Sequence, residues 1–470
     1  MRCSNIAVRT NNPLGSQAPN PVNSHKILNT LAKEAVLRLS YPPAPSYYAA
    51  SAAAIPAAGG TRAHRETLRG SIEADVAVLG GGIAGCSAAL HLAKRGYRVA
   101  LLEARFVGYG ASGRSGGQII FGLAASQKAL AADVGRDDAR RLFDLSIEAL
   151  DLTRSLIREH AIDCDYHANH VHVAVKPRHL KELKEWAREL HEDCDYPSAR
   201  LLNRDELQAH IRSERYLGGL IDPRSGHLNP LKFTQGMARA AESAGAKIFE
   251  NSEVLRYEDG PEVIVHTAQG TVRCAHLVLC GNAYIGSVAP SLARRILGVG
   301  TYIIATQPLG EERAKELLPS NAAIADINWI LDYFRRSADH RLLFGGRVSY
   351  SAVQPPRLAE SMRKSMLRIF PALADVKVAY SWGGYLDITR SRAPNFGRLA
   401  TNVFYAQGFS GHGMSLTSLA GKLLAEAVAG TAERFDVFAR IPHRDFPGGR
   451  LLRRPSLMMA MLYYRLRDLL

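Results

Sequence analysis

Short apolar runs and helical segments alternate along the chain from residue 75 onward. Residues 75–79 and 98–102 are nearly continuous apolar runs, the pattern of parallel strands that are buried on both faces. Residues 86–95, which lie between them, have the length and composition of a helix, and Gly96 follows at its carboxyl end. This order predicts a βαβ unit of about 30 residues.

The alternation continues to residue 429. It predicts helices at 138–158, 179–191, 231–244, 357–370 and 415–429, and strands at 171–175, 246–249, 262–267, 276–280, 302–305, 341–345 and 403–406. Strands that alternate with helices favour an α/β fold, α+β overall, with a parallel sheet at its centre. Strand-like runs are denser within 297–390, so we expect a second region there that is mainly β.

The two ends of the chain follow a different pattern. Residues 1–71 contain proline-rich pieces and an alanine-rich run, with one helix predicted over 24–39. We interpret 1–71 as a flexible N-terminal extension. Residues 431–470 are predicted to be a C-terminal tail, and we expect its last 21 residues to pack on the rest of the protein.

A glycine-rich turn follows the first predicted strand and matches G-x-G-x-x-G. Its first glycine allows a tight turn, its second lets a pyrophosphate approach the main chain, and its third lets helix and strand pack closely. An acidic residue, Glu103, lies 23 positions beyond Gly80, where it can accept hydrogen bonds from a ribose. We therefore predict a dinucleotide site with Gly80, Gly82, Ile83, Ala84, Gly85, Glu103 and Ala104 as contacts.

A second glycine-rich loop starts seven residues after Glu103 and favours FAD over NAD, which the first turn alone does not separate. FAD extends from its pyrophosphate to an isoalloxazine ring and needs small residues and N–H groups along that path. Ser112 and Arg114 are suited to phosphate or ribityl oxygens. The predicted contacts are Gly110, Ala111, Ser112, Gly113, Arg114, Gly116, Gly117 and Gln118.

A third glycine-rich turn lies between the last predicted strand and the last predicted helix. A helix N-terminus there would stabilise the negative charge that a flavin gains on reduction. We predict cofactor contacts at Gly408, Gly411, His412, Gly413 and Met414, and a weaker one at Gly281, where another strand ends. The three glycine-rich elements must then converge on one cofactor.

Composition and charge exclude several other classes of protein. The composition is that of a globular protein, with 47% hydrophobic and 22% charged residues. The net charge of +15 is concentrated near both ends, without the basic stripe of a nucleic-acid binder. The six cysteines form neither a CxxC motif nor a disulfide framework, and no apolar stretch is long enough to span a membrane. We therefore expect a soluble, cytoplasmic protein that binds no nucleic acid.

Segments 75–82, 110–114 and 408–413 together resemble the superfamily of FAD-dependent amine oxidoreductases that contains D-amino-acid, glycine and sarcosine oxidases. Segments 46–51, 164–166, 331–335, 397–399, 419–423 and 446–450 resemble its γ-glutamylputrescine oxidoreductase branch. Two positions depart from these patterns. Ser115 stands where the branch usually has Asn, and 385–392 lacks the cysteine to which sarcosine oxidases link their flavin, so we expect non-covalent FAD.

The distance between the glycine-rich elements predicts an FAD-binding domain interleaved with a mainly β substrate domain. The FAD-binding domain is expected to be Rossmann-like. Its predicted segments are 72–150, 230–290 and 395–430, and those of the substrate domain are 151–229 and 291–394.

Candidate reactive and substrate-binding residues lie near these elements. His412 and Tyr385 are the catalytic candidates, and Tyr333 and Trp382 are expected to line an amine pocket. Arg335, Arg336 and Arg347 are candidates to bind a substrate carboxylate. His167, His170 and His172 lack a fourth ligand at a fitting spacing, so we predict no metal site.

The resemblance implies oxidation of a terminal amine to an imine, which hydrolyses to an aldehyde and ammonia, with oxygen reduced to hydrogen peroxide. The substrate it implies is γ-glutamylputrescine, in putrescine catabolism. Two alternatives stay open: an FAD-dependent oxidase or dehydrogenase of sarcosine, glycine or a D-amino acid that uses oxygen or a membrane acceptor, and a non-enzymatic dinucleotide-binding module. The sequence leaves the oligomeric state open.

Overall fold

The computed structural model describes residues 46–53, 65–349 and 357–447, without the side chains of residues 53 and 347–349. The predicted helix over 24–39 and the last residues of the tail lie outside these ranges. Elements are numbered below in chain order.

The described ranges contain seventeen strands. These are β1 Gly70–Leu79, β2 Val99–Leu102, β3 Gln118–Ile119, β4 His167–Ala174, β5 Arg200–Leu202, β6 Gly218–His227, β7 Lys247–Phe249, β8 Arg256–Glu258, β9 Val263–His266, β10 Gly270–Leu279, β11 Leu297–Thr306, β12 Ala323–Asp326, β13 Tyr333–Arg336, β14 Leu342–Ser349, β15 Val378–Ile388, β16 Asn395–Ala400 and β17 Val403–Gln407.

Twelve α-helices connect or flank them within the same ranges. These are α1 Tyr47–Ala53, α2 Ile83–Ala93, α3 Gln127–Val134, α4 Arg136–Glu159, α5 Pro177–Glu192, α6 Arg204–Leu207, α7 Pro230–Ser243, α8 Pro290–Arg295, α9 Glu311–Leu317, α10 Leu358–Ile369, α11 Gly413–Val428 and α12 Glu433–Ala439.

The first sheet has a parallel centre and carries the nucleotide motif. Its main path is β16-β17-β10-β1-β2-β7, with β8 and β9 attached beside β10. Strand β1 pairs in parallel with both β2 and β10, so Val78 lies between Leu101 and Val278. All three side chains are buried, as expected for a sheet covered on both faces. The α/β class and the Rossmann-like sheet that the sequence predicts are confirmed.

Helices α2 and α11 pack closely against each other because small residues face each other. A Cβ atom added at Gly421 would lie 2.5 Å from the carbonyl oxygen of Ala84, so the contact requires glycine. The Ser87 hydroxyl donates to the carbonyl oxygen of Ser418 at 2.6 Å. The first and third glycine-rich elements open these two helices and are thereby held at the same part of the sheet.

The second sheet is mixed, with the path β15-β11-β14-β13-β12-β4-β6-β3 and β5 beside β6. One of its faces forms a core with helix α10, in which Val171, Phe334, Phe344 and Met366 are fully buried. The two sheets draw their strands from alternating parts of the chain. The exact domain boundaries given above remain a prediction.

The expectation of a flexible extension over 1–71 is wrong for residues 46–53 and 65–71. Helix α1 is anchored by Tyr48, which is fully buried against Trp382 with the ring centroids 5.1 Å apart. Arg65 pairs with Glu242 at 2.6 Å and with Glu250 at 3.2 Å. Buried aromatic rings and paired charges hold these residues in place, whereas the sequence there shows only a change in composition.

The region after residue 430 is also packed where the structure describes it. Helix α12 buries Phe435 and Phe438 against Phe396 of β16, with ring centroids 5.9 and 4.5 Å from that of Phe396. No helix in the described ranges is long and apolar enough to cross a membrane.

Candidate active site

The first glycine turn, Gly80–Gly85, has a conformation and packing that only glycine allows at two positions. Gly80 has a φ of +105°, and a Cβ atom there would lie 2.6 Å from the carbonyl oxygen of Cys280. A Cβ atom at Gly85 would lie 1.9 Å from the carbonyl oxygen of Gly80. The turn therefore stays tight and brings the start of α2 close to the end of β1.

The N-terminus of α2 is capped from outside its own helix. Gly82 is the N-cap residue and provides no side-chain acceptor. The Ser112 hydroxyl oxygen instead accepts the main-chain N–H of Ile83 at 3.0 Å. Gly82, Ile83 and Ser112 thus form a glycine cradle at the helix N-terminus. A Cβ atom at Gly82 would lie 2.9 Å from the Ser112 oxygen, so only glycine leaves this cradle open. These residues fit the pyrophosphate of a dinucleotide, which binds free N–H groups at a helix N-terminus.

Glu103 is fixed at the end of β2 by two main-chain donors. Its carboxylate accepts the N–H of Gly81 at 2.7 Å and that of Arg105 at 2.9 Å. Burial raises the pKa of Glu103, and the two hydrogen bonds oppose that rise. Each oxygen still has a lone pair for a ribose hydroxyl. Ala104 beside it is exposed.

The second glycine loop, Gly110–Gln118, has three glycines in places where a side chain would clash. A Cβ atom would lie 2.0 Å from the carbonyl oxygen of Gly108 at Gly113, 2.5 Å from the Tyr333 ring at Gly116, and 2.1 Å from the carbonyl oxygen of Leu228 at Gly117. The loop therefore lies directly against the second sheet.

Arg114 stabilises this loop through hydrogen bonds of both its main chain and its side chain. Its guanidinium donates to the carbonyl oxygens of Tyr109 at 2.9 Å and Gly383 at 3.2 Å, and its carbonyl oxygen accepts from Trp382 Nε1 at 3.0 Å. These bonds join the loop to strand β15. The phosphate or ribityl contact proposed for Arg114 from the sequence remains a prediction.

The third glycine turn, Gln407–Met414, is tied to the second loop and to a buried carboxylate. The Ser115 hydroxyl donates to Met414 Sδ at 3.1 Å. Asp387 accepts the main-chain N–H of Gly408, and its carbonyl oxygen accepts the N–H of Ser410 at 3.0 Å. Burial raises the pKa of Asp387 to about 6. The Ser115–Met414 bond joins the second loop to the third turn, and the Ser112–Ile83 bond joins the second loop to the first turn. All three glycine-rich elements are thereby linked.

His412 immediately precedes helix α11 and is uncharged near neutral pH. Burial, with Arg392 and His172 nearby, lowers the pKa of His412 to about 3. Its Nδ1 atom is buried and has no hydrogen-bond partner among the described residues. This imidazole is therefore a neutral polar group beside the third turn, and its catalytic role remains a prediction.

One face of the second sheet forms a wall behind the second loop. Residues paired across a sheet share a face, and here the row is His172, Ala325, Tyr333, Gly345, Ile303 and Trp382. Gly116 lies on the Tyr333 ring, and Arg114 receives the hydrogen bond from Trp382. Ala325 is a small residue in this row, and the Tyr333 ring covers Gly345, where a Cβ atom would lie 2.0 Å from Tyr333 Cζ. The predicted pocket residues Tyr333 and Trp382 are thus on one face.

His170 and Gln118, which is a predicted cofactor contact, form a hydrogen-bonded pair on the same face that the sequence does not predict. His170 is 1% exposed, and its Nε2 atom donates to Gln118 Oε1 at 3.3 Å, which leaves Nδ1 as an acceptor. That Nδ1 atom has no partner among the described residues. The Gln118 amide donates to the carbonyl oxygen of Ile324 at 3.3 Å. In the sequence, the alternation of polar and apolar residues in 167–174 is the signal that places His170 and His172 on one face of a strand.

The three arginine candidates for binding the substrate carboxylate differ in how far their donors are already used. Arg335 is 3% exposed and uses its N–H groups on protein acceptors, so we correct its assignment as a ligand of the substrate carboxylate. Arg336 donates through Nε to Asn321 Oδ1 at 3.2 Å. The side chain of Arg347 lies outside the described residues.

The candidates Tyr385 and Gly281 lie outside the row of residues described above. Tyr385 is buried, with its ring centroid 6.2 Å from that of Tyr284, and Tyr284 in turn contacts Gly110. Gly281 packs against Ile285, where a Cβ atom would lie 2.8 Å from Cδ1. The described residues hold no group of three or more His, Cys, Asp or Glu side chains arranged for a metal ion.

Comparison with known proteins identifies the class to which this fold and site belong. The chain matches the FAD dependent oxidoreductase family, DAO, over residues 75–427, and it is a member of that family. Its cofactor is FAD, which agrees with the glycine cradle described above.

Individual relatives extend over most of the chain. The chain is 42% identical over 424 residues to γ-glutamylputrescine oxidoreductase of Escherichia coli strain K12, covering 90% of this chain and 98% of that protein. It is 39% identical to the probable oxidoreductase OrdL of Haemophilus influenzae, covering 84% of this chain and 92% of that protein. Glycine oxidase from Bacillus cereus shares the fold, with a TM-score of 0.65, 22% identity, and coverage of 79% of this chain and 99% of that one.

Proposed function

We propose that this chain oxidises the terminal amine of γ-glutamylputrescine to an imine that hydrolyses to an aldehyde and ammonia. The observation that carries this proposal is the 42% identity to γ-glutamylputrescine oxidoreductase along nearly the whole of that protein. FAD, when bound, supplies the hydride acceptor for the carbon atom that bears the amine. The chain's own residues bind and orient the substrate.

The row that contains Tyr333 supports an unbranched substrate. Ala325 is a small residue between His172 and Tyr333, and the Tyr333 ring fills the space over Gly345. A slender tetramethylene chain can lie over Ala325, whereas a branched side chain needs more room. The half-buried Tyr333 then provides the aromatic surface beside the amine, whereas Trp382 is buried in the core.

Two neutral imidazoles support binding of the amine in its neutral form: His172 on this face and His412 in the third glycine turn. Burial lowers the pKa of His412 to about 3 and that of His172 to about 4, so neither carries a charge near neutral pH. A neutral amine is the form that can release a hydride from its α-carbon, because its nitrogen lone pair is available. We infer that no side-chain base is required for that step.

The amide group of the substrate has a matching acceptor. His170 Nδ1 is a buried lone-pair acceptor without a partner among the described residues, and it lies on the face that carries Tyr333. We propose that it accepts the amide N–H of γ-glutamylputrescine. Such an orphaned acceptor costs free energy until a ligand satisfies it, so it discriminates against substrates that lack the donor.

The distal carboxylate requires a cation, and Arg336 and Arg347 remain the proposed partners. Arg335 is excluded because its donors are already used. Free putrescine lacks both the amide and the carboxylate. It is expected to be much the poorer substrate, because remote contacts help to position the reacting carbon.

The experiment measures hydrogen peroxide release from γ-glutamylputrescine, putrescine, sarcosine, glycine and D-alanine side by side. The flavin absorbance is also followed under anaerobic conditions and then after admission of air. We propose oxygen as the electron acceptor, so reduced enzyme should reoxidise rapidly. Anaerobic bleaching without rapid reoxidation would instead indicate a dehydrogenase, and a preference for sarcosine or a D-amino acid would refute the proposed substrate.

A further inference from the structure

Arg335 is a buried cation whose donors all have neutral acceptors. Its Nε atom donates to the carbonyl oxygen of Gly116 at 2.9 Å, and Nη1 donates to that of Arg336 at 3.2 Å. Its Nη2 atom donates to the carbonyl oxygen of Leu228 at 2.9 Å and to the Tyr48 hydroxyl at 3.1 Å. The hydrogen-bond requirement of the guanidinium is therefore met without any anion.

The fifth contact of Arg335 is with the ring of His227, which is neutral. His227 Nε2 lies 2.8 Å from the carbonyl oxygen of Asn321 and must donate to it, because a carbonyl only accepts. Nδ1 is then the unprotonated nitrogen, and it lies 3.5 Å from Nη1 of Arg335. Burial and the charge of Arg335 both hold the pKa of His227 well below its usual value. This neighbour is neutral and does not share the positive charge.

No ion pair in the described part of the chain includes Arg335. Arg65, which is also buried, pairs with Glu242 and Glu250, and the half-buried Arg341 pairs with Asp339 at 2.7 Å. An unpaired buried charge costs free energy that hydrogen bonds only partly offset. A partner that becomes negatively charged during the reaction would recover some of that cost.

The position of this charge points to the cofactor. Arg335 bonds to Gly116, and a Cβ atom at Gly117 would lie 3.2 Å from its Nη2 atom. These two glycines belong to the second glycine loop, which we expect to lie against the flavin. Tyr48 also contacts the guanidinium, with its ring centroid 5.7 Å from Cζ of Arg335. Helix α1, which precedes the nucleotide motif, thus supports the loop through Arg335.

We propose that Arg335 is a positioning residue that fixes Gly116 and Gly117, and that its unneutralised charge makes the bound FAD easier to reduce. Reduction adds negative charge to the flavin, and a fixed positive charge in a water-excluded environment favours the reduced form. The same charge disfavours a protonated amine at the site. This inference rests on membership of the FAD family and holds whichever amine is the substrate.

The experiment compares Arg335→Met, which removes the charge, with Arg335→Lys, which keeps it. The midpoint potential of the bound flavin is measured by dye-coupled reductive titration, and the FAD dissociation constant is measured by fluorescence. Neither measurement uses the amine substrate. Arg341→Met is the matched control, because Arg341 contacts Tyr47 of the same helix α1 at 5.7 Å from its ring centroid but is paired with Asp339.

The Met variant is expected to bind FAD more weakly and to have a more negative midpoint potential. The Lys variant should recover most of the potential but less of the affinity, because an ammonium cannot reproduce the five directed hydrogen bonds. Arg341→Met should leave the potential unchanged. An unchanged potential in the Met variant, or an equal shift in the Lys variant, would overturn the electrostatic role.

Tyr48→Phe tests the positioning role independently, including the case in which Arg335→Met does not fold. It keeps the charge and the ring packing but removes one acceptor of Nη2. FAD binding should weaken while the midpoint potential stays close to that of the unmodified protein. An unchanged FAD dissociation constant would contradict the proposal that helix α1 supports the loop.

Discussion

The Ser112 hydroxyl oxygen caps helix α2 by accepting the N–H of Ile83, a residue 29 positions earlier in the chain. Helix N-caps usually come from the residue that precedes the helix. Here that residue is Gly82, which has no side chain to offer. The second glycine loop therefore completes the helix terminus on which the first glycine turn depends, and the two elements form one structural unit.

Ser112→Ala should weaken FAD binding without unfolding the protein. Loss of an N-cap acceptor costs about 1 kcal/mol of protein stability, and it also removes the bond that holds the second glycine loop against the first glycine turn, where FAD is expected to bind. Ser126→Ala is the matched control, because Ser126 caps α3 at an exposed site by accepting the N–H of Ala129 at 3.3 Å. Fluorescence titration of the apoprotein with FAD measures both. Equal effects of the two substitutions would contradict the special role of Ser112.

Gly82→Ala should also reduce FAD affinity, and Gly82→Trp should abolish FAD binding. The added Cβ atom would lie 2.9 Å from Ser112 Oγ and would displace the oxygen that caps Ile83. Gly298→Ala is the control, because a Cβ atom there would lie an ordinary 3.6 Å from that of Ala283. Flavin content of the purified variants is the measurement. Retention of FAD by Gly82→Trp would show that the pyrophosphate of FAD does not bind at the first glycine turn.

The parts of this site that the sequence predicts are those encoded by local spacing. Gly80, Gly82 and Glu103 lie within one βαβ unit, so their order along the chain fixes their neighbourhood. The contact between Arg335 and Tyr48 joins residues 287 positions apart and leaves no periodic signal. The sequence alone therefore indicates neither that Arg335 binds protein acceptors nor that helix α1 is anchored.

Asp387 shows the same limit of prediction from sequence, in the third glycine turn. The glycines of that turn are visible in the sequence, but the carboxylate that accepts the Gly408 N–H lies 21 residues earlier, in β15. A buried aspartate on a strand cannot be distinguished by pattern from one that faces solvent.

FAD should be released intact when the protein is precipitated with acid. Covalent attachment through cysteine would require a thiolate, and burial raises the pKa of Cys274 to about 11 and those of Cys164 and Cys280 to about 12. Absorbance of the supernatant and of the redissolved pellet measures the two fractions. Flavin that stays with the pellet would show a covalent link and refute this prediction.

His172→Gln should change how stability depends on pH. Burial lowers the pKa of His172 to about 4, below the value of about 6.5 in an unfolded chain. As pH falls through this interval, the unfolded chain binds a proton that the folded chain does not, so His172 makes folding less favourable. The stability of the unmodified protein relative to the variant should therefore decrease from about pH 7 to about pH 5.

Urea unfolding at both pH values measures this difference, in which the contributions of groups common to both proteins cancel. His191→Gln is the control, because His191 is exposed on α5. A difference between the unmodified protein and His172→Gln that does not change with pH would mean that His172 titrates normally.

The pH dependence of kcat/KM should show an acid limb that belongs to the substrate amine and not to His412. If the amine must be neutral, kcat/KM rises with pH until the free amine is deprotonated, because kcat/KM reports the ionisation of free enzyme and free substrate. His412, with a pKa of about 3, does not titrate in that range. His412→Asn should therefore lower the rate without moving the limb, while a substrate analogue whose amine has a lower pKa should move it to lower pH. A limb near pH 6.5 that stays in place with the analogue and disappears in His412→Asn would instead assign His412 as a general base.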